Sequence, residues 1–474
     1  MASMISQNIV PLIIACALFM EGLDTSIIAT ALPAIAKSLN TNPIHLNLTI
    51  TSYMFSLAVF IPLSGWVADR FGARIVFCAA IAIFMLSSVG CGLSETLTEL
   101  VFFRLLQGVG GAMMVPVGRL VLLRTIPKSQ LVGAMAWVTV PALLGPVMGP
   151  PVGGFIVTYW SWQWIFFLNI PIGLLGIILA NIYIGNIREE NPRPLDFRGF
   201  ILMSIALAGL VCGFETLGRD TLPPWMVTLS LSCGALFLGI YIIYALRRDH
   251  PIIDIRLFKI PTFMAATVGG FVFRIGIGAL PFLLPMMLQL GFGLSALNSG
   301  MLTFASAAGA MLMKMSAAKI IRRFGFRRVM IVNSFITSVF LCGIALFKPE
   351  TSHIFILIFL LIGGFFRSLQ FTSLNTLAYA DISPQLMSKA TPLVSMLQQL
   401  SLSLGVAIGA LMLNFTLQWH GGAQLGPESF WPAIIGVSII SSLSVLFFLP
   451  LAPDAGSEIS GHPPLETKVK RADP

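Results

Sequence analysis

The chain has 474 residues, of which 57% are hydrophobic and 10% charged, and its formal net charge is +9. These values, with a mean hydropathy of +0.91, exclude an ordinary soluble globular domain and indicate a protein embedded in a lipid bilayer. The excess of Lys and Arg is spread over short loops between apolar segments, so we expect no nucleic-acid partner.

Fourteen apolar segments each approach or exceed the roughly 20 residues that a membrane-spanning helix needs. In chain order, helices 1 to 14 are predicted over residues 9–31, 46–67, 75–94, 99–121, 131–158, 163–185, 198–217, 224–246, 261–289, 296–318, 328–347, 353–379, 390–417 and 430–450. The fifth and thirteenth segments are long enough to contain a kink. An even number of helices places both termini on one side of the membrane.

The distribution of Lys and Arg predicts which side that is. With a cytoplasmic amino terminus, the outside loops hold only Lys37, Arg219 and Lys348, whereas twenty basic residues fall on the inside. Cytoplasmic loops carry such an excess of basic residues. Both termini are therefore predicted to be cytoplasmic.

An internal repeat predicts how the helices are grouped. The sequence Arg70 to Arg74 (RFGAR) returns as Arg323 to Arg327 (RFGFR), 253 residues later. This offset fits an all-α fold of two six-helix bundles with two inserted helices between them. The predicted divisions are a cytoplasmic amino terminus (1–8), a first bundle (9–185), the inserted helices with their loops (186–260), a second bundle (261–450) and a disordered cytoplasmic tail (451–474).

Helix 1 carries two carboxylates inside the predicted bilayer. Glu21 and Asp24 are three residues apart and so share one helical face, where each raises the proton affinity of the other. Arg104 of helix 4 stays charged and lowers that affinity when it approaches. We therefore predict a proton and cation site at Glu21 and Asp24 with Arg104 as the coupling residue. A static buried ion pair between helices 1 and 4 is the alternative.

The end of helix 2 and the loop after it contain Gly65, Asp69, Arg70, Gly72 and Arg74. A carboxylate at this helix end can accept hydrogen bonds from a neighbouring helix, and a guanidinium can pair across the bundle. Such contacts would hold one conformation closed, so a gating loop is predicted. The alternative is a solvated turn whose charges only set the topology.

Helix 5 contains a ten-residue stretch in which seven residues are Gly or Pro. The Gly and Pro positions proposed as a motif are Gly145, Pro146, Gly149, Pro150, Gly153 and Gly154. Gly149 and Gly153 form a small-xxx-small face that lets another helix approach closely. A rocking helix is predicted, with a generic packing helix as the alternative.

Other polar residues within helices are candidates for a substrate cavity, since charged groups are rare in membrane interiors. These candidates are Gln107, Glu215, Arg274 and Arg367. Glu215 could instead pair with Arg219, and the repeat offset places Arg274 opposite Glu21. Methionine and phenylalanine side chains could line the same cavity for apolar cations, namely Met20, Met113, Met114, Met286, Met287, Phe271, Phe273 and Phe282.

Several functional classes lack their motifs. The sequence contains no phosphate-binding G-x-x-x-x-G-K-[ST] loop, no H-E-x-x-H and no G-x-S-x-G, so neither an ATPase nor a hydrolase is predicted. The six cysteines never occur as C-x-x-C, which argues against a zinc site. We expect no enzyme activity, no cofactor and no metal.

Three of these motifs carry a family resemblance. Gly65 to Arg74 resembles the signature loop of the major facilitator superfamily, Leu100 to Ala112 resembles its helix 4 signature, and Gly145 to Gly154 resembles its antiporter signature. Two further segments, around Asp24 and from Trp162 to Gly173, are similar to the fourteen-helix drug:proton antiporter branch. Two positions depart from the pattern: Gln163 replaces an arginine, and Arg322 stands in the second-half loop where the first has Asp69.

The resemblance and the residues together predict a secondary active transporter of the inner membrane. It would export amphipathic or cationic drugs or toxic small molecules in exchange for protons by alternating access. We expect a monomer in the lipid bilayer, and association with an efflux adaptor is left open. The alternatives are a dedicated metabolite or organic-anion transporter, with Arg274 or Arg367 binding the anion, and a non-transporting membrane sensor.

Overall fold

The computed structural model describes residues 2–41, 46–190, 192–217, 222–419 and 426–462. Fourteen long helices follow one another over these residues: α1 Ala2–Ser38, α2 Leu48–Phe71, α3 Ala73–Leu93, α4 Leu97–Thr125, α5 Leu131–Tyr159, α6 Trp164–Tyr183, α7 Phe197–Thr216, α8 Pro224–Leu246, α9 Pro261–Gly291, α10 Ala296–Lys314, α11 Ala317–Gly343, α12 His353–Leu377, α13 Met387–Trp419 and α14 Pro427–Phe448.

The helices confirm the predicted all-α membrane fold. Thirteen spans in the described part of the chain are long and apolar enough to cross a bilayer. The remaining helix, α10, occupies the place of the tenth predicted segment. Both long segments, α5 and α13, continue as single helices, although α5 carries five internal glycines and α13 contains Pro392. Neighbouring helices can compensate for such residues in a membrane.

The packing of the two groups of six helices follows the repeat. In the first group α1 packs against α5 and α6, α4 packs against α2 and α3, and α3 packs against α6. The equivalent pairs in the second group are α9 with α13 and α14, α12 with α10 and α11, and α11 with α14. The repeated turn also has one geometry, because Gly72 and Gly325 both have positive φ, at +95° and +75°. A side chain is strained in that region, which explains why glycine stands at both positions.

The loops richest in Lys and Arg lie at one end of the bundle, which we call the basic end. Ion pairs link these loops: Arg124 at the end of α4 contacts both Asp69 and Glu189, and Lys389 at the start of α13 contacts Asp254. The amino end of α1 and the carboxyl end of α14 lie at the same end, because the number of helices is even.

The inserted helices α7 and α8 contact each other closely and touch both six-helix groups. Gly209 of α7 lies against Gly234 of α8. Ser204 of α7 donates a hydrogen bond to the carbonyl oxygen of Val59 in α2 (2.9 Å), and Ser403 of α13 donates one to Glu215 of α7 (2.9 Å). The pair therefore fills a position between the two groups.

The first part of the predicted disordered tail is folded. Residues 451–462 include a short helix, Ser457–Ser460, in which Ile459 is buried and Glu458 pairs with Lys128 at 3.0 Å. The prediction of disorder is therefore wrong for these residues, because apolar and charged side chains dock the segment onto the basic end. Residues 463–474 lie outside the described residues.

Candidate functional site

A buried polar cluster surrounds Asp24, halfway along α1. Arg104 of α4 donates to its Oδ2 at 2.6 Å, while Gln107 of α4 and Asn169 of α6 donate to its Oδ1 at 3.0 and 2.9 Å. Both amides also donate to the hydroxyl of Ser88 in α3, at 2.7 and 3.1 Å. Three nitrogen donors on one carboxylate fit its ionised form, which accepts hydrogen bonds and donates none.

Arg104 is held from several sides. It lies over the ring of Tyr53 in α2 at 4.6 Å and donates to the carbonyl oxygen of Thr49 (3.1 Å) and to Gln107 (2.5 Å). Its Nη2 is buried without a hydrogen-bond partner among the described residues. The arginine is therefore fixed in position, but one of its donors is unsatisfied.

Glu21 lies one turn before Asp24 and is connected to the cluster through Tyr53. The tyrosine hydroxyl donates to Glu21 Oε1 at 3.4 Å, and the tyrosine ring packs under Arg104. Glu21 Oε2 is buried without a partner in the described part of the structure. A carboxyl group in this position can receive a proton or a cation and transmit the change to Arg104 through one side chain.

Sequence reasoning found the charged members of this cluster but missed Tyr53, Ser88 and Asn169. Asn169 lies within one of the segments that carry the family resemblance, from Trp162 to Gly173. That resemblance was the signal in the sequence that could have identified it. Gln107, predicted for a substrate cavity, lies within this cluster. Its amide is fully buried and bridges Asp24 and Ser88, because an amide can donate to both oxygens at once.

Three glycines of α5, namely Gly145, Gly149 and Gly153, face α1. A Cβ on Gly145 would lie 2.8 Å from the backbone of Leu23, and a Cβ on Gly149 would lie 1.9 Å from Ser26 Oγ. Gly153 meets Thr30 in the same way, and Gly22 of α1 lies against Pro146. This α1–α5 seam holds the helix that carries both carboxylates. Gly154 points into open space and takes no part.

In the predicted gating loop, Asp69 forms an ion pair with Arg124, a residue that the sequence did not single out. Asp69 pairs with Arg124 at 2.9 Å, and the Asp69 carbonyl oxygen accepts a hydrogen bond from the Glu189 backbone at 3.2 Å. Arg74 donates to the carbonyl oxygen of Ile184 at 3.4 Å. Arg70 is exposed, so the pairing guanidinium is that of Arg124.

The two halves meet at the basic end through Gly65 of α2. A Cβ at this position would lie 2.0 Å from the carbonyl oxygen of Ser388 and 3.1 Å from Pro392, both in α13. Nearby, Asp254 is bonded to Arg256 (2.7 Å) and Lys389 (3.0 Å). Burial by itself raises the pKa of Asp254, but these cations outweigh burial and hold the pKa below its ordinary value. The basic end is closed in this conformation.

The remaining cavity candidates lie in different places. Glu215 accepts a hydrogen bond from Ser403, while Arg219 lies outside the described residues. Arg274 donates to Asn375 in its own half. Arg367 donates to Ser306, and the small cavity that it lines, about 20 Å³, is built by second-half helices alone. Arg367 therefore lines a cavity within the second half, and its role in substrate binding stays a prediction.

No group of three or more His, Cys, Asp or Glu residues in the described ranges has the geometry of a metal site. The Asp24 cluster and Glu21 consist of carboxylates, an arginine and neutral hydrogen-bonding groups. Such groups can bind and release protons and charged small molecules.

Comparison with solved structures supports the fold. The chain superposes on the human organic anion transporter MFSD10 with a TM-score of 0.66 at 14% identity, covering 93% of this chain and 99% of that one. It superposes on the proton:xylose symporter XylE with a TM-score of 0.62 at 15% identity, covering 95% and 97%. At such identities the similarity concerns the fold alone.

Comparison of sequences identifies the family as well as the fold. The chain is 40% identical to the putative multidrug resistance protein MdtD of Salmonella heidelberg over 447 residues, which cover 93% of this chain and 94% of the relative. The same identity and coverage hold for MdtD of Salmonella typhimurium. The family model of the Major Facilitator Superfamily matches residues 14–406 and again 266–471. The chain therefore belongs to the Major Facilitator Superfamily and is a multi-pass membrane transporter.

Proposed function

We propose that this transporter exports small amphipathic or cationic molecules, including drugs, in exchange for protons. The observation that carries the proposal is the buried contact between Asp24 and Arg104 at 2.6 Å, one turn from a second carboxyl group at Glu21. Groups of this kind inside a membrane commonly mark ion and proton pathways. The multidrug resistance proteins that share 40% identity with the chain support the substrate class.

Coupling follows from the electrostatics of the cluster. A proton that reaches Asp24 removes the negative charge that Arg104, Gln107 and Asn169 all contact. Arg104 then lacks its counter-ion in a medium of low dielectric constant, where an unpaired charge is costly. Arg104 also contacts the ring of Tyr53, whose hydroxyl is bonded to Glu21. Protonation thereby changes which contacts between α1, α2 and α4 are stable, and a conformational equilibrium shifts.

Alternating access places the gate at the basic end. The contact of Gly65 with α13 holds this end closed in the described conformation, and the Asp69–Arg124 pair fixes α2 to α4 beside it. Opening it would require α2 and α13 to separate. The α1–α5 seam would then move as one unit, because its helices are too close to slide independently.

The proposed orientation has the basic end in the cytoplasm and the protein in the inner membrane. The excess of Lys and Arg in the loops of that end supports this orientation. We further propose that the transporter acts as a monomer, since every residue of the Asp24 cluster belongs to one six-helix group. Export then proceeds from the basic end to the opposite end.

The substrate class and the energy source are tested together in proteoliposomes that contain the purified protein. Ethidium movement is followed by fluorescence with and without an imposed pH gradient. Naphthalenesulfonamide, a neutral compound, is tested in parallel for comparison with the cation. The expected result is ethidium movement against its gradient that requires the pH gradient and stops on addition of a protonophore. Ethidium movement that ignores the pH gradient would contradict proton coupling.

A further inference from the structure

Two buried arginines without acidic partners lie where the two halves meet, in the part of the bundle nearer the basic end. Arg119 of α4 is 8% exposed and Arg274 of α9 is 3% exposed. Within the described ranges neither forms an ion pair. Arg119 donates to Gln398 of α13 at 2.5 Å, and Arg274 donates to Asn375 of α12 at 3.1 Å. Their hydrogen-bond acceptors are thus neutral amides, although cations inside a membrane protein normally pair with an acid. Glu21 interacts electrostatically with Arg119 but forms no ion pair with it within the described ranges.

The two arginines belong to one hydrogen-bonded chain. Gln398 donates to Asn375 Oδ1 at 2.9 Å, so the oxygen that Arg274 contacts is also bonded to the amide that Arg119 contacts. Asn375 in turn lies 3.5 Å from Thr139 of α5 in the first half. The chain of contacts therefore crosses between the halves at two places.

Unused hydrogen-bonding groups surround this chain. Arg119 Nη1 and the hydroxyls of Tyr379, Thr391 and Ser395 are buried and form no hydrogen bond of regular geometry among the described atoms, although the Tyr379 hydroxyl lies close enough to Arg119 to interact with it. Thr391 and Ser395 precede Gln398 by about two turns and one turn and so share its face of α13. Tyr379 lies one turn after Asn375 and interacts electrostatically with both arginines. Buried groups of this kind are usually satisfied, and here all of them can donate.

We propose that this cluster, formed by Arg119, Arg274, Asn375, Gln398 and Tyr379, binds the oxyanion group of a transported organic molecule. The proposal rests on the transport function proposed above and extends its substrate class to amphipathic carboxylates, sulfonates and zwitterions. Guanidinium groups form charge-assisted, two-pronged hydrogen bonds with oxyanions, which are stronger than bonds to neutral amides. An oxyanion would replace Gln398 and Asn375 as the acceptor and supply the missing negative charge.

The geometry also indicates when the oxyanion binds. Arg119 belongs to the first half and Gln398 to the second, so separating α4 from α13 breaks their hydrogen bond. In a conformation open at the basic end, Arg119 has lost its neutral acceptor and faces the opening. The site is therefore available to a molecule arriving from the basic end, which is the loading side for export.

Binding of a permanently charged probe tests the proposal without ambiguity from protonation. Radiolabelled naphthalenesulfonate and its neutral sulfonamide are compared on the purified full-length protein in nanodiscs. We expect the sulfonate to bind at least about tenfold more tightly than the sulfonamide. Arg119→Gln and Arg274→Gln should each remove most of this preference, and Arg274→Lys should retain part of it. Equal affinities for the two compounds in the wild type would overturn the proposal. This comparison uses the wild-type protein alone, so it does not depend on the stability of any variant.

The matched control is Arg367→Gln, which removes another arginine of the second half that is bonded to Ser306 in a separate cavity. It should leave the preference for the sulfonate unchanged, and an equal loss in this variant would contradict the assigned site. Asp24→Asn should keep sulfonate binding while losing proton coupling, which separates failure of this site from failure of the proposed antiport. Displacement of the probe by inorganic sulfate, with no flux of the probe into proteoliposomes, would overturn its assignment as cargo.

Discussion

At the scale of residues, the charged members of the Asp24 cluster stand out in the sequence by their charge, and the neutral ones do not. Asp24 and Arg104 stand out because a charge within an apolar helix is rare and requires a partner. Ser88 and Asn169 give no such signal, since Ser and Asn within membrane helices commonly satisfy their own backbone. Their roles depend on α3 and α6 packing beside α1, which is a property of the tertiary structure.

A double-mutant cycle separates coupling from a merely structural ion pair. Asp24→Asn leaves Arg104 buried without a counter-ion and should destabilise the protein by about 3 to 5 kcal/mol, as should Arg104→Gln. The double variant Asp24→Asn/Arg104→Gln removes both charges and should recover much of that loss in thermal unfolding. We nevertheless expect it to lack proton-coupled transport. Recovery of both stability and coupling would show that the pair only fixes α1 to α4.

At the scale of helices, the close approach at the α5 glycines could be predicted, but the partner could not. The spacing of Gly149 and Gly153 indicates that some helix packs there. Only the structure identifies α1, where Ser26 and Thr30 repeat the same four-residue spacing. The motif consequently acts within one half of the molecule, as a rigid support for the carboxylates.

Alanine substitutions in α5 test this seam with a matched control. Gly149→Ala places a methyl group against Ser26 and should cost about 1 to 3 kcal/mol through overpacking. Gly154→Ala makes the same chemical change five residues later, where no atom lies within 4 Å, and should be neutral or slightly stabilising. Thermal unfolding in detergent gives both values. Equal effects of the two substitutions would mean that the close approach is not a structural constraint.

Gly65 tests the closure of the basic end in the same way. A methyl group at this position would collide with the Ser388 carbonyl oxygen, which cannot move aside as a side chain could. Gly65→Ala should therefore shift the population towards conformations open at the basic end, by about tenfold for each 1.4 kcal/mol of strain. Spin-label distances between the ends of α2 and α13 report this shift. Gly133→Ala, in open space on α5, should leave the distances unchanged.

At the scale of the whole molecule, apolar segments and a single repeat were sufficient to predict the architecture. Helix length, hydropathy and the RFGAR repeat depend on local sequence. In the structure they correspond to the long apolar helices and to the two turns in which glycine has a positive φ. Contacts between the halves were not predictable in this way. The meeting of Arg119 with Gln398 and of Gly65 with Ser388 joins residues more than 250 positions apart, and no local pattern encodes such pairs.

The central claim is that Asp24 couples protons to substrate movement between the two ends of the molecule. Acid-loaded inverted vesicles containing the protein are monitored with a quenched acridine dye while ethidium is added. The wild type and Glu350→Gln, which alters an exposed carboxylate far from the cluster, should both release protons on addition of ethidium. Asp24→Asn, compared at an equal amount of protein in the vesicles, should release none. Unchanged proton release in Asp24→Asn would contradict the account.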